Sequence, residues 1–124
     1  MKKIAIHFQI QSLESKQTFD VIGEKKNNRI KFVDPENNRN YIIFHNDIVE
    51  YYKKGKVDMK YKFTTTSKTK GFYTVDSVVF EFDIVTTKLI RTENSLVIEY
   101  RLYDRDEIIN ETRIEIKYST VEEE

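Results

Sequence analysis

The side chains of this chain that could do chemistry are few and scattered. His7 and His45 are its two histidines, and cysteine is absent. Neither histidine has a second one at a metal-ligand spacing such as four residues away. Without a thiol, disulfides, cysteine nucleophiles and thiolate metal sites are excluded. Asp104, Asp106 and Glu107 crowd one stretch, but they lack the glycine and distal glutamate of an EF-hand loop. The three glycines, at 23, 55 and 71, stand too far apart for a phosphate-binding loop, a nucleophile elbow or a dinucleotide fingerprint. Nothing here recommends an enzyme, a metal or a cofactor, and a non-enzymatic protein is the expectation.

Two sets of residues could instead bind. Tyr61, Tyr73, Thr86, Tyr100 and Tyr118 carry hydroxyls, mostly in step with apolar neighbours. In a pocket with apolar walls, such converging polar groups fix a small ligand. The second set is basic: Lys53, Lys54, Lys56, Lys60, Lys62, Lys68 and Lys70 face a single acid, Asp58, between positions 53 and 70. With Tyr51 and Tyr52 adjacent, this stretch could neutralise phosphates and stack bases.

The elements that must carry these side chains follow a period of two. Ile4, Ile6, Phe8 and Ile10 alternate with Lys3, Ala5, His7 and Gln9, which is a strand with one apolar and one polar face. The pattern returns as Val57, Met59, Tyr61, Phe63; as Val78, Phe80, Phe82, Ile84; as Leu96, Ile98, Tyr100, Leu102; and as Ile108, Thr112, Ile114, Ile116, Tyr118. Shorter candidates lie at Phe19 to Val21, Ile30 to Val33, Tyr41 to Phe44, Ile48 to Tyr52 and Phe72 to Val75. Turn chemistry marks the joints: Asn27 and Asn28, Asp34 to Asn38 with the single proline Pro35, Asn46 and Asp47, Lys54 and Gly55, Ser67 to Gly71, Asp76 and Ser77, Asn94 and Ser95, and Asp104 to Glu107.

Connections this short force sequential strands to pair antiparallel, because a parallel crossover needs a dozen residues or more. The expected fold is all-β, an antiparallel up-and-down meander. A meander of about eight to ten strands hides its two edges by closing into a barrel. At 124 residues the chain suits one domain, read as residues 1–120 followed by an acidic, frayed tail at 121–124. No stretch approaches about 18 uninterrupted apolar residues, so no membrane partner is expected.

The order of Gly55 after a lysine pair, Val57 and Phe63, Gly71 with Tyr73 and Thr74, Thr86 before Lys88 and Leu89, and Tyr100 with Leu102 resembles the YwiB-like family of small bacterial proteins. The resemblance runs over nearly the whole chain. It implies a lipocalin-like, calycin-type barrel whose interior could accept a ligand, and it implies no activity. The chain departs from the family pattern at Lys53 and Lys54, where an arginine usually precedes the glycine, and at Asp76 and Ser77, where a further glycine usually stands. Lysine offers an anion a point charge and not the planar fork of arginine.

The leading expectation is therefore a small, partly apolar or amphipathic ligand held inside the barrel by Tyr61, Tyr73, Thr86 and Tyr100. The competing reading is an interior filled by its own side chains, whose hydroxyls bond one another or buried water. An inward cation and tyrosine two apart, as intracellular lipid-binding barrels use for carboxylates, is offered by Arg101 and Tyr103, but parity turns both outward with Glu99. The alternative function is a polyanion-binding face built on Lys53, Lys54, Lys56, Lys60 and Lys62, set against the plainer reading of a solvated strand exterior. With 21 basic and 21 acidic residues no global field draws the chain to nucleic acid, which is not the expected partner. Val79, Val85 and Val97, apolar and outward by parity, suggest a homodimer. The start of the chain briefly imitates a signal peptide until His7, Gln9 and Gln11 break the apolar run, so a cytoplasmic location is expected.

Overall fold

The computed structural model describes residues 2–121. Ten strands follow one another: β1 (Lys2–Ser12), β2 (Lys16–Lys26), β3 (Arg29–Val33), β4 (Arg39–Phe44), β5 (Val49–Lys54), β6 (Val57–Phe63), β7 (Thr69–Val75), β8 (Val78–Arg91), β9 (Ser95–Asp104) and β10 (Glu107–Thr120). Each pairs antiparallel with the next, and β1 pairs with β10, with Phe8 opposite Ile116, so the sheet closes on itself. The expected meander and its closure are both present.

Turn chemistry sets the joints. Asn27, Asn37, Asp76 and Ser77 adopt positive φ, a conformation that short polar residues tolerate better than others, and Arg105 adopts it without that advantage. Gly55 has φ +153°, and a Cβ there would sit 2.6 Å from Asn38 Oδ1, so the β5–β6 turn admits only glycine without rearrangement. The expected joint at Ser67 to Gly71 is shorter than its composition suggests. β7 begins at Thr69, and Gly71 lies inside it facing the core, where a Cβ would meet Ile84 Cδ1 at 2.7 Å and Tyr61 Cδ1 at 2.8 Å. This glycine serves close packing and not a turn.

Alternation fills the barrel. Ile4, Ile6, Phe8, Ile98, Leu96, Ile114 and Ile116 are almost completely buried, as are Phe44, Phe63 and Tyr51 from the other half. About eight strands already enclose room for side chains, and wider barrels hold cavities unless bulk fills them. Here aromatic rings take up the extra width: Phe8 stacks on Phe19 at 4.8 Å, and Phe63 lies 4.7 Å from Tyr100. The alternation fails at the start of β8, where Val78 and Phe80 keep 52% and 43% of their surface exposed. β9 pairs with β8 only from Asp83 onward, so the first residues of β8 overhang the barrel and their inward parity meets no core.

The ladder is uneven. β1 pairs with β2 over ten residues, but β2 pairs with β3 only at Glu24–Lys31, Lys25–Ile30 and Lys26–Arg29. Beyond that point β2 and β3 part company, and the loop of residues 34–38 sits across the gap.

Candidate ligand site at the barrel mouth

Asp34, where β3 ends, is the organising residue of this gap. It is 8% exposed, and a carboxylate so buried must be met by donors. Oδ1 accepts the backbone N–H groups of Glu36 and Asn38, each at 3.0 Å. Oδ2 accepts the Asn40 side-chain amide at 3.0 Å and faces Lys53 Nζ at 3.7 Å. Burial alone would raise the Asp34 carboxyl, but the hydrogen bonds of Asn40, Asn38 and Glu36 and the charge of Lys53 outweigh it and hold the group below its ordinary range. The network continues inward, where the Tyr51 hydroxyl donates to Asn40 Oδ1 at 2.5 Å.

Behind this cluster lies a cavity of about 90 Å³. Phe8, Ile10, Phe19, Met59 and Ile114 form its apolar walls, Tyr51 and Tyr100 reach it from inside, and Gln17, Asp34, Glu36 and Lys53 stand where it opens between β2 and the 34–38 loop. β5 supplies both Tyr51 and Lys53 because residues two apart share a face of a strand. Burial above all, with Asp34 and Tyr100 close by, pushes the Tyr51 hydroxyl well up. Burial does the same to Tyr100, against a hydrogen bond with Thr112, and both phenols are O–H donors at neutral pH.

Of the hydroxyl-bearing residues singled out in the sequence for the interior, Tyr100 alone lines this cavity, and from the basic set Lys53 joins it. Tyr61 is 6% exposed and lies one layer away, edge-on to Tyr100 at 6.2 Å, with its hydroxyl raised first by burial and then by Tyr100 and Tyr73. Tyr73 is half-buried near Glu36. Thr86 is opposite Tyr100 in the β8–β9 ladder, and its buried Oγ1 has no hydrogen-bond partner among the described residues. Tyr118 is buried on β10, opposite Ile6 of β1. Asp34 and Asn40 were missed as site residues, and Tyr51, expected beside the basic face, is buried in the interior. The pattern Asp34-x5-Asn40 spans a loop, so strand parity gave no signal that the two side chains meet.

The lysine set divides. Lys53 turns inward to Asp34, while Lys54, Lys56, Lys60 and Lys62 are exposed, and of the adjacent tyrosines Tyr51 is inside and Tyr52 outside. Arg101 and Tyr103 lie outward as parity required, with Arg101 Nε 3.0 Å from Glu111. Val79 is 63% exposed, and Val85 and Val97 are half-buried. Glu122 to Glu124, the main part of the expected tail, lie outside the described residues, and Val121 donates its backbone N–H to Lys3 O at 2.9 Å.

A larger, open groove of about 720 Å³ crosses the outer face above the small side chain of Ala5. There His7 Nδ1 and Asp20 share a hydrogen bond at 2.8 Å, both well exposed to solvent. Among the described residues no group of three or more His, Asp or Glu side chains is placed to hold a metal ion.

Fold and inner surface together define a lipocalin-like barrel of ten antiparallel strands. The particular family follows from comparison with known proteins: residues 4–116 match the model of the domain of unknown function DUF1934, and the chain belongs to that family. Among solved structures it is similar to the YwiB protein from Bacillus subtilis, with a TM-score of 0.76 and 15% identity over 98% of this chain and 93% of that one. At that identity the likeness establishes the fold alone, and it agrees with the family resemblance read from the motifs. The curated proteins gave no match.

Proposed function

We propose that this protein is a non-catalytic, cytoplasmic barrel that binds a small amphipathic molecule at its mouth. The observation that supports this is the cavity between β2 and the 34–38 loop, with an apolar floor and a cation at its opening. Its 90 Å³ is well below the roughly 300–1,000 Å³ of sites that enclose drug-sized ligands. The ligand is therefore small, or inserts only its apolar end. Its polar end is an acceptor. Asp34 is already engaged by four donors, whereas the Lys53 ammonium makes one long contact at 3.7 Å and keeps N–H groups to spare.

Thermal unfolding with hexanoate, hexanol and hexylamine as probes tests the reading. Hexanoate raises the melting temperature most and hexylamine least. Lys53→Met removes the difference between the probes, and Ile10→Phe, which fills the opening, removes the response altogether. Equal responses to the three probes, or a response that survives Ile10→Phe, would end this proposal.

A further inference from the structure

Charge is segregated on the outside of the barrel. Over β7 to β10 most basic side chains are paired: Lys68, just before β7, and Lys70 with Asp83, Lys88 with Glu99, Arg101 with Glu111, Arg113 with Glu99 and Glu115, and Lys117 with Glu115, while Arg91 lies over the Phe44 ring. Over β3 to β6 Lys31 pairs with Glu24 and the inward Lys53 with Asp34, each at 3.7 Å, and the other cations stand apart from any acid among the described residues. Arg29, Arg39, Lys54, Lys56, Lys60 and Lys62 are exposed and have no ion pair among the described residues. Two of these cations stand directly opposite each other, Arg39 and Lys54 on β4 and β5, and Arg29 opposes Lys26 on β2 in the same way. Like charges facing across a ladder destabilise a sheet, so this face carries repulsion that a bound polyanion would relieve.

Aromatic rings run between the cations. The register places Lys31, Tyr41, Tyr52, Lys60 and Phe72 in one outward row across five strands. The Tyr52 hydroxyl donates to Glu50 Oε2 at 2.9 Å, two residues away on the same face. Tyr41 and Tyr52 are both half-buried on this face. Phe72, at the end of the row, is 41% exposed. Cations flanking half-exposed rings complement an alternation of phosphates and unstacked bases. A duplex, with its bases stacked inside, would leave the rings unused.

We propose that the outer face of β3 to β6 binds single-stranded nucleic acid, with phosphates held by Arg29, Arg39, Lys54, Lys60 and Lys62 and bases stacked on Tyr41 and Tyr52. This surface is distinct from the mouth cavity. From the lysine set read in the sequence it keeps Lys54, Lys60 and Lys62, leaves out Lys53 and Lys56, and adds Arg29, Arg39 and Tyr41, which only the strand register brings alongside.

The test is fluorescence anisotropy with a labelled oligothymidylate of about twelve nucleotides. If about four phosphates are engaged, affinity falls roughly fiftyfold when salt rises about fourfold. Arg39→Glu and Lys54→Glu each weaken binding about tenfold or more, although each turns a repelling pair into an attracting one and so leaves the melting temperature unchanged or higher. Tyr52→Ala weakens binding about fivefold or more by loss of stacking, Tyr52→Phe restores it, and Lys88→Glu on the opposite face has no effect. Absence of binding at low salt overturns the proposal. So does binding that heparin displaces and that Tyr52→Ala leaves unchanged, since charge alone would then account for it.

Discussion

Asp34 concentrates the most consequential polar chemistry of the interior, and little in its local sequence announces it. An Asp-Pro pair predicts a turn, and the turn is there, yet the same carboxylate also ties the loop to β4 through Asn40 and to β5 through Lys53. Its lowered pKa has a consequence for stability. A carboxyl whose folded value lies below its ordinary 3.8 contributes stability in full above that value, and loses it as pH falls through the lower, folded value. Asp83 and Glu115 are lowered in the same direction, so the Asp34 share must be read as a difference. Urea midpoints of the wild type and Asp34→Asn, measured from pH 6 down to pH 2, should differ most at pH 6 and converge in acid. A gap that stays constant across the range would mean that the Asp34 charge contributes nothing.

At the scale of elements, hydrophobic alternation located the strands well wherever one face is enclosed. Ile4 to Ile10, Val57 to Phe63 and Leu96 to Leu102 lie inward as their period of two requires. It misled where enclosure depends on a neighbour's length: Val78 and Phe80 alternate like core residues, but their hairpin outruns β9. Gly71 shows a second limit, because one letter stands for both a turn former and a residue chosen for its missing Cβ. The two roles predict opposite results. In an open turn Gly71→Ala would be tolerated, and in a strand interior replacing glycine gains roughly 0.5–1 kcal/mol by propensity. Here the new Cβ presses on Ile84, 0% exposed, and Tyr61, 6% exposed, and overpacking a tight core costs about 1–3 kcal/mol. Packing outweighs propensity, so chemical denaturation of Gly71→Ala should show a net loss of about 1–2 kcal/mol. Ile84→Val, made in the same chain, should restore part of it. A stabilised Gly71→Ala protein would place this residue outside the core.

The whole molecule depends on a contact that no local pattern could reveal, the pairing of β1 with β10. Short turns dictate a meander, and the cost of exposed edges argues for closure, but which register seals the barrel is settled only by the two apolar faces meeting. They meet with Ile6 opposite Tyr118, Phe8 opposite Ile116 and Ile10 opposite Ile114, each pair buried or nearly so. Closure also brings the first and last described strands side by side at one end, where Val121 bonds to Lys3. A barrel without edges is indifferent to where its chain is cut, provided the cut falls in an exposed turn. Joining the ends through a short glycine-serine linker and opening the chain at Asn46–Asp47, both exposed in the β4–β5 turn, should give a permutant with the same far-UV dichroism and one cooperative transition. Loop-closure entropy changes slowly with length, so the permutant should stay within about 2 kcal/mol of the parent. Opening the chain within β10 at Ile114–Glu115 instead interrupts the sealing ladder, and that protein should not fold cooperatively. If the two permutants were equally stable, β1–β10 pairing would not be what holds the barrel shut.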